Sequence, residues 1–242
     1  MKITLTGSHG FIGTHLSKAL EEQGHDIDCW DLKIGKSLDA FKLPVDTQLV
    51  IHLAAKADVR ASLLDPNLYW RQNVLNSKEI FRQCAEKNVH VIYASSSTAK
   101  QWWRNPYATT KKICEEIAPN KSCGIRFSTV WGDGARPTML IPQIKNKTLT
   151  YATEHERDFI HVSDVVSGIT TIIKRGSTGV MEMGSGKSVR VDELVAYNGI
   201  NVPIRSGHTY EQEENILPST SLRSLGWAPK IDIMEADISV LA

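Results

Sequence analysis

A chain of 242 residues, 41% of them hydrophobic and 23% charged, has apolar material for one large domain with a modest appendage, but not for two full-sized domains. The formal net charge of +1 leaves no electrostatic footprint for nucleic acid or for a membrane surface. Apolar runs such as 49–55 fall well short of the roughly twenty residues that a bilayer span needs, and the first residues read as a strand with no charged leader, so a cytoplasmic protein is expected.

In chain order, Lys2–Thr6 is a β-branched and apolar run ending at Gly7, which predicts a strand. Residues 13–23 carry Leu16, Ala19 and Leu20 at helical spacing, and Gly24 closes that helix. Asp26–Trp30 predicts a second strand, ending on Asp31. The continuous apolar run 49–55 is of the kind buried on both faces of a parallel sheet. Residues 66–88 read as one long helix with Leu68, Leu75, Ile80, Phe81 and Cys84 on or near one face, followed by a strand over 89–95. Residues 107–117 read as a helix stopped by Pro119, and 123–131 as a strand. Such alternation predicts an α/β fold with a doubly wound parallel sheet. After Trp131 the texture changes, because Gly132, Gly134 and Pro137 break the chain and later elements are short. The large domain is expected over 1–134, with 159–180 returning to it through a helix at 164–175. A small C-terminal region is expected over 135–158 and 181–242.

The segment Thr6-Gly7-Ser8-His9-Gly10-Phe11-Ile12-Gly13 lies between the first strand and the first helix, where a glycine-rich turn lets backbone N–H groups approach a pyrophosphate. A glycine triplet alone is weak. Here it has a strand before it, a helix after it and Asp31 at the end of the next strand, a Rossmann-type context for a dinucleotide. Asp31 stands where a carboxylate accepts the adenosine-ribose hydroxyls and repels a 2′-phosphate, so NAD is favoured over NADP. Tyr107-Ala-Thr-Thr-Lys111 places a phenol and an ammonium one helical turn apart, so that the cation favours the phenolate and the tyrosine can act as a base. Read alone, that spacing is an ordinary surface pair. Ser95-Ser96-Ser97-Thr98, at the carboxyl end of the strand just upstream, puts hydroxyls at the sheet edge where such folds bind ligands. Four scattered cysteines and eight histidines show no metal-ligand spacing, so no metal is implied and the thiols are expected to be reduced.

His52-Leu-Ala-Ala55, Asn73-Val-Leu-Asn-Ser77, Ala94-Ser-Ser-Ser97, Asn105-Pro-Tyr-Ala-Thr-Thr-Lys111, Ile125-Arg-Phe-Ser-Thr-Val-Trp-Gly132 and Arg157-Asp-Phe-Ile-His-Val-Ser-Asp164 follow the glycine turn in order. The ordered set resembles the NAD-dependent sugar epimerase/dehydratase family of extended short-chain dehydrogenase/reductases, of the UDP-glucose 4-epimerase-like kind, in shortened form. The resemblance implies a NAD-binding Rossmann domain and a small substrate-binding region. It implies that Gly7, Gly10, Phe11, Ile12, Gly13, Asp31, Leu53, Ala54, Ala55 and Asn73 line the dinucleotide, with Tyr107 and Lys111 spanning cofactor and substrate. Ser97 matches the active-site hydroxyl, with Thr98 as its substitute if the loop is shifted by one. Arg157 matches the arginine that contacts the substrate diphosphate, and Thr129 and Arg136 are weaker candidates for substrate contact.

Dehydratases of that family carry an acid pair directly after the active-site hydroxyl, whereas this chain has Thr98, Ala99 and Lys100. Elimination then lacks a local proton-transfer group. The expectation is therefore a nucleotide-sugar 4-epimerase, in which Tyr107 takes the C4 hydroxyl proton, a 4-keto sugar forms by reversible hydride transfer, and NAD is regenerated in each cycle. The alternatives are a dehydratase or reductase of the same family and a catalytically silent NAD-binding module. Only nine residues separate Ser97 from Tyr107, and Gln101-Trp102-Trp103-Arg104 stands where relatives have Val-Tyr-Gly. The early stop of the helix carrying Tyr107 weakens the expectation of the family's homodimer.

Overall fold

The computed structural model of the chain describes residues 1–241, so the last position of the expected small region, 242, lies outside the described residues. Strands and helices alternate as β1 (Lys2–Thr6), α1 (Phe11–Glu22), β2 (Asp26–Trp30), β3 (Leu49–His52), α2 (Val59–Leu64), α3 (Pro66–Tyr69), α4 (Asn76–Glu86), β4 (His90–Ser96), α5 (Pro106–Ile117) and β5 (Ser122–Phe127). There follow β6 (Thr129–Trp131), α6 (Leu140–Lys145), β7 (Ala152–Thr153), β8 (Glu156–Arg157), β9 (Phe159–His161), α7 (Val162–Arg175), β10 (Gly179–Met183), β11 (Val189–Arg190), α8 (Val191–Tyr197) and β12 (Ile204–Arg205). The six-stranded sheet runs β10-β5-β4-β3-β1-β2, and all of its pairings are parallel. From β1 the chain steps outward to β2 and then crosses back to β3. The crevice at the carboxyl ends of β1 and β3 is thus the switch point of a doubly wound, Rossmann-like sheet.

Strand alternation sorts the core into two faces. On one, Leu16 and Leu20 of α1 and Val165, Ile169 and Ile172 of α7 pack on Ile3, Leu5, Ile51, Ile92 and Ile125. On the other, Ile80, Phe81 and Cys84 of α4 and Cys114 of α5 pack on Val50, Val91 and Tyr93. Each such fully buried aliphatic or aromatic side chain stabilises by about 1.5–3 kcal/mol. A third core, with Trp131, Ile144, Phe159, Leu194 and Ile233, gathers residues from the chain after β5.

Three expected elements differ from what forms. The strand over 49–55 ends at His52, because β1 turns away at Gly7 (φ +74°) and leaves Ala54 N–H the Thr6 hydroxyl, at 3.4 Å, in place of a backbone carbonyl. The strand over 123–131 divides: Ser128 N–H crosses to the Met183 carbonyl, and β6 leaves the main sheet to pair with β9. The helix over 66–88 contains a π-helical turn at Trp70–Leu75, where the Asn73 carbonyl accepts from the Ser77 hydroxyl and the Cys114 thiol.

One buried carboxylate ties the segments around Ser185 and Leu217 to the end of β5. Asp158 is fully buried, and its two oxygens accept from Ser128 Oγ, Ser185 N–H, Ser185 Oγ, Gly186 N–H and Leu217 N–H at 2.7–3.1 Å. Gly184 admits that carboxylate, since a β-carbon there would lie 2.4 Å from Asp158 Oδ2. Among the described residues, no helix is long and apolar enough to cross a membrane.

Candidate active site

The glycine turn is folded on itself. A β-carbon on Gly7 would lie 2.6 Å from the Ala54 nitrogen, and one on Gly13 would lie 1.9 Å from the Gly7 carbonyl oxygen, so both positions exclude any side chain. Gly10 is the N-cap of α1, which begins with Phe11 and Ile12. Asp31, at the end of β2, accepts from His9 N–H at 3.1 Å and from Lys33 N–H at 2.9 Å, tying the turn to the strand end where a ribose would be read. Across the crevice, His15 bonds the Asp133 carbonyl at 2.8 Å and Gly134 lies against Phe11, bringing the loop after β6 to the start of α1.

The opposite wall, Leu53, Ala54 and Ala55, is held from behind by a buried relay. Ser77 Oγ donates to the Asn73 carbonyl and therefore accepts from His52 Nε2–H at 2.9 Å. Nδ1 is then the acceptor for the Thr6 hydroxyl at 2.6 Å, and Thr6 Oγ1 takes the Ala54 N–H. Burial pushes the His52 imidazole down to about 3, with the Lys111 charge adding to the effect, so the ring is neutral and this tautomer is fixed. Asn73, expected to line the dinucleotide, is almost fully buried behind the wall. It accepts from Lys56 N–H and donates to the Lys56 carbonyl and to Thr110 Oγ1, bracing the loop against α5.

On α5, Tyr107 and Lys111 share a face as their spacing requires, with Nζ 5.9 Å from the phenol ring centre. The ammonium is buried and donates to the Ala94 carbonyl at 2.8 Å. Burial raises the phenol above its ordinary value, and the Ser96 hydrogen bond and Arg136 act in the opposite direction. Burial therefore outweighs the help that the Ser96 hydroxyl and the Arg136 charge give the phenolate. Tyr69, not anticipated, stands edge-on to Tyr107 at 6.4 Å between ring centres.

Ser96, at the end of β4, acts to lower the Tyr107 phenol, while Ser97, expected as the active-site hydroxyl, faces Asn215. Ser96 Oγ accepts from Thr98 N–H at 3.2 Å and from Thr98 Oγ1 at 2.9 Å. Ser97 is displaced because β4 ends at Ser96. It begins the 3-10 segment Ser97–Arg104, where its Oγ accepts from Asn215 Nδ2 at 3.3 Å. Thr98, expected as the substitute for Ser97, is bonded to Ser96 instead.

Arg136 is exposed, donates to the Ala57 carbonyl at 2.9 Å and bears electrostatically on Tyr107, so it belongs to the same mouth. Thr129 opens β6 and pairs with Phe159. Arg157 does not stand free: it donates to the Glu156 and Gln212 carbonyls, both at 2.8 Å, and pairs with Glu211 at 3.2 Å. Glu211 also receives Arg60 at 3.3 Å and lies 3.5 Å from His155 Nδ1. No local sequence signal marked Tyr69 beside Tyr107 or Glu211 beside Arg157. The four cysteines carry free thiols, and among the described residues no three His, Cys, Asp or Glu side chains gather as metal ligands do.

A sequence profile of the family described as "NAD dependent epimerase/dehydratase family" matches residues 3–184. The chain is 31% identical to "Protein CapI" of Staphylococcus aureus over 90% of its own length and 84% of that protein's. It is 27% identical to "UDP-glucuronate 4-epimerase 4" of Arabidopsis thaliana, covering 96% of this chain and 72% of the other. Among solved structures, "MoeE5 in complex with UDP-glucuronic acid and NAD" superposes with a TM-score of 0.86 at 26% identity, covering 97% of this chain and 96% of that one.

Proposed function

Because the chain belongs to the NAD dependent epimerase/dehydratase family, we propose that it is a nucleotide-sugar 4-epimerase. The observation that carries this reading is the pairing of Tyr107 with Lys111 on one face of α5, with Nζ 5.9 Å from the phenol ring centre and bonded to the end of β4, together with a glycine turn too tight for any side chain. The turn fits a dinucleotide: Gly7 and Gly13 leave room only for backbone, and the start of α1 directs N–H groups at a pyrophosphate. Gly7, Gly10, Phe11, Ile12, Gly13 and Asp31 would hold NAD, with Leu53, Ala54 and Ala55 on the facing wall. Bound there, the nicotinamide supplies a reversible hydride acceptor.

The chain's own residues do the rest. Tyr107 removes the proton from the sugar's C4 hydroxyl, and a serine hydroxyl at the end of β4, Ser96 or Ser97, donates to the same oxygen. Lys111 spans α5 and the end of β4, fixing the phenol's helix against the strand that presents Ser96. Arg157 is the contact for the substrate diphosphate, with Arg136 and Thr129 nearer the sugar. The turn after β4 has no acid free for elimination: Glu115 is held by Arg126 and Ser95, and Glu182 by Lys100. The named relatives support a UDP-sugar, since one is a UDP-glucuronate 4-epimerase and another is solved with UDP-glucuronic acid.

The test is incubation of the purified protein with UDP-glucose, UDP-glucuronic acid and their amino-sugar counterparts, read by proton NMR. Inversion at C4 without net cofactor consumption is expected. Release of a 4-keto-6-deoxy sugar would instead assign a dehydratase.

A further inference from the structure

We propose that Glu211 is a specificity-determining residue whose carboxylate occupies the guanidinium site that a substrate diphosphate takes over, so that Glu211 sets how much anionic charge a ligand must bring. The proposal rests on reading Arg157 as the diphosphate contact.

Glu211 is the meeting point of groups from distant parts of the chain: Arg60 on α2, His155 just before β8 and Arg157 within it. Two of the contacts are long for charged partners: Arg60 Nε and Nη2 both reach Oε1 at 3.3 Å, where charge-assisted bonds settle near 2.7–2.9 Å. His155 Nδ1 accepts from Arg157 Nη2 at 3.1 Å and so has no proton for the carboxylate 3.5 Å away. A phosphate, with more oxygens and more charge, can engage both guanidinium forks with better geometry.

The segment carrying Glu211 is also imperfectly satisfied where it lies. Arg104 donates to the Thr209 and Glu211 carbonyls, Asn105 to the Tyr210 carbonyl, and Gln212 Nε2 reaches the Ser97 carbonyl at only 3.5 Å. Within that junction Gln101 Oε1, Arg104 Nε and Gln212 Oε1 are buried with no hydrogen-bond partner. Unpaired buried groups are costly, so a segment seated this way is easier to displace than a fully bonded brace. The junction adjoins Ser97 and is built from the Gln101-Trp102-Trp103-Arg104 run, so the residues that shorten the active-site loop also seat the carboxylate.

Calorimetric titration with UDP, UMP and uridine tests this. Glu211→Gln should tighten UDP and UMP by roughly tenfold, leave uridine unchanged, and tighten UDP far less in an Arg157→Ala background. Glu211→Asp, which keeps the charge on a shorter stem, should fall between Gln and the native residue. UDP binding unchanged or weakened by both Glu211 variants, while Arg157→Ala still loses UDP, would make the pair a structural brace and overturn the proposal alone. UDP affinity unaffected by Arg157→Ala would remove the diphosphate reading beneath it as well.

Discussion

Replacing Tyr107 by Phe removes one oxygen from a helix that stays packed through Ala108, Lys111 and Cys114. Turnover should fall by about 10²–10⁴ or more, while far-UV circular dichroism and NAD binding stay close to native. Because burial holds the phenol above its ordinary value, its base form is scarce at neutral pH. Steps that need the phenolate should therefore speed up as pH rises, and kcat/KM should climb between about pH 6 and 9. Ser96→Ala should cost roughly tenfold more in kcat than Ser97→Ala, since Ser96 bears on the Tyr107 phenol while Ser97 Oγ is taken by Asn215; equal losses would return the role to Ser97. The tyrosine and lysine were legible because a fixed helical period puts them on one face whatever surrounds them. The serine was not. In a run of three, the hydroxyl that reaches Tyr107 depends on where β4 stops, and neither composition nor spacing marks that residue.

At the scale of elements, α5 is clamped to the sheet by Glu115, whose side chain is 3% exposed. It takes both Arg126 Nε at 2.8 Å and Nη2 at 2.6 Å, with Ser95 Oγ on the same carboxylate at 2.6 Å. Glu115→Ala strands a guanidinium that is 20% exposed, so a loss of about 2–3 kcal/mol in denaturant titrations is expected, less than for a fully buried partner. The relay behind the β3 wall gives a pH signature. His52 is held near 3 in the folded protein against about 6.5 when unfolded, so between those values the unfolded chain binds more protons. Its contribution is intact above about pH 6.5 and shrinks as pH falls toward 3, by up to about 1.4 kcal/mol per unit. His52→Gln should flatten that slope of unfolding free energy between about pH 6.5 and 4; an unchanged slope would place the titration elsewhere. Periodicity announced the helix over 66–88, but the π-helical turn inside it follows from the demands that Ser77 and Cys114 make on one carbonyl. Those partners come from elsewhere along the helix and from α5.

For the molecule as a whole, the doubly wound parallel sheet was legible because strand and helix alternate and short parallel crossovers leave few arrangements. The joint between the sheet and the third core was not, since it depends on one aspartate meeting donors 27 to 59 residues away in sequence. Asp158→Ala leaves five donors, those of Ser128 and Leu217 buried, without their acceptor, so limited proteolysis should open the chain around 185–217 first while the core of β1 to β5 stays protected. The same knot also bears on time. Five of the six sheet strands are complete by Phe127, whereas the carboxylate is not fully engaged until Leu217 arrives. Its bonds should therefore form after the rate-limiting step of folding. In stopped-flow experiments, conservative changes at Asp158 should accelerate unfolding and leave the refolding limb nearly where it was, so that one buried side chain governs how long the assembled molecule lasts rather than how fast it is made.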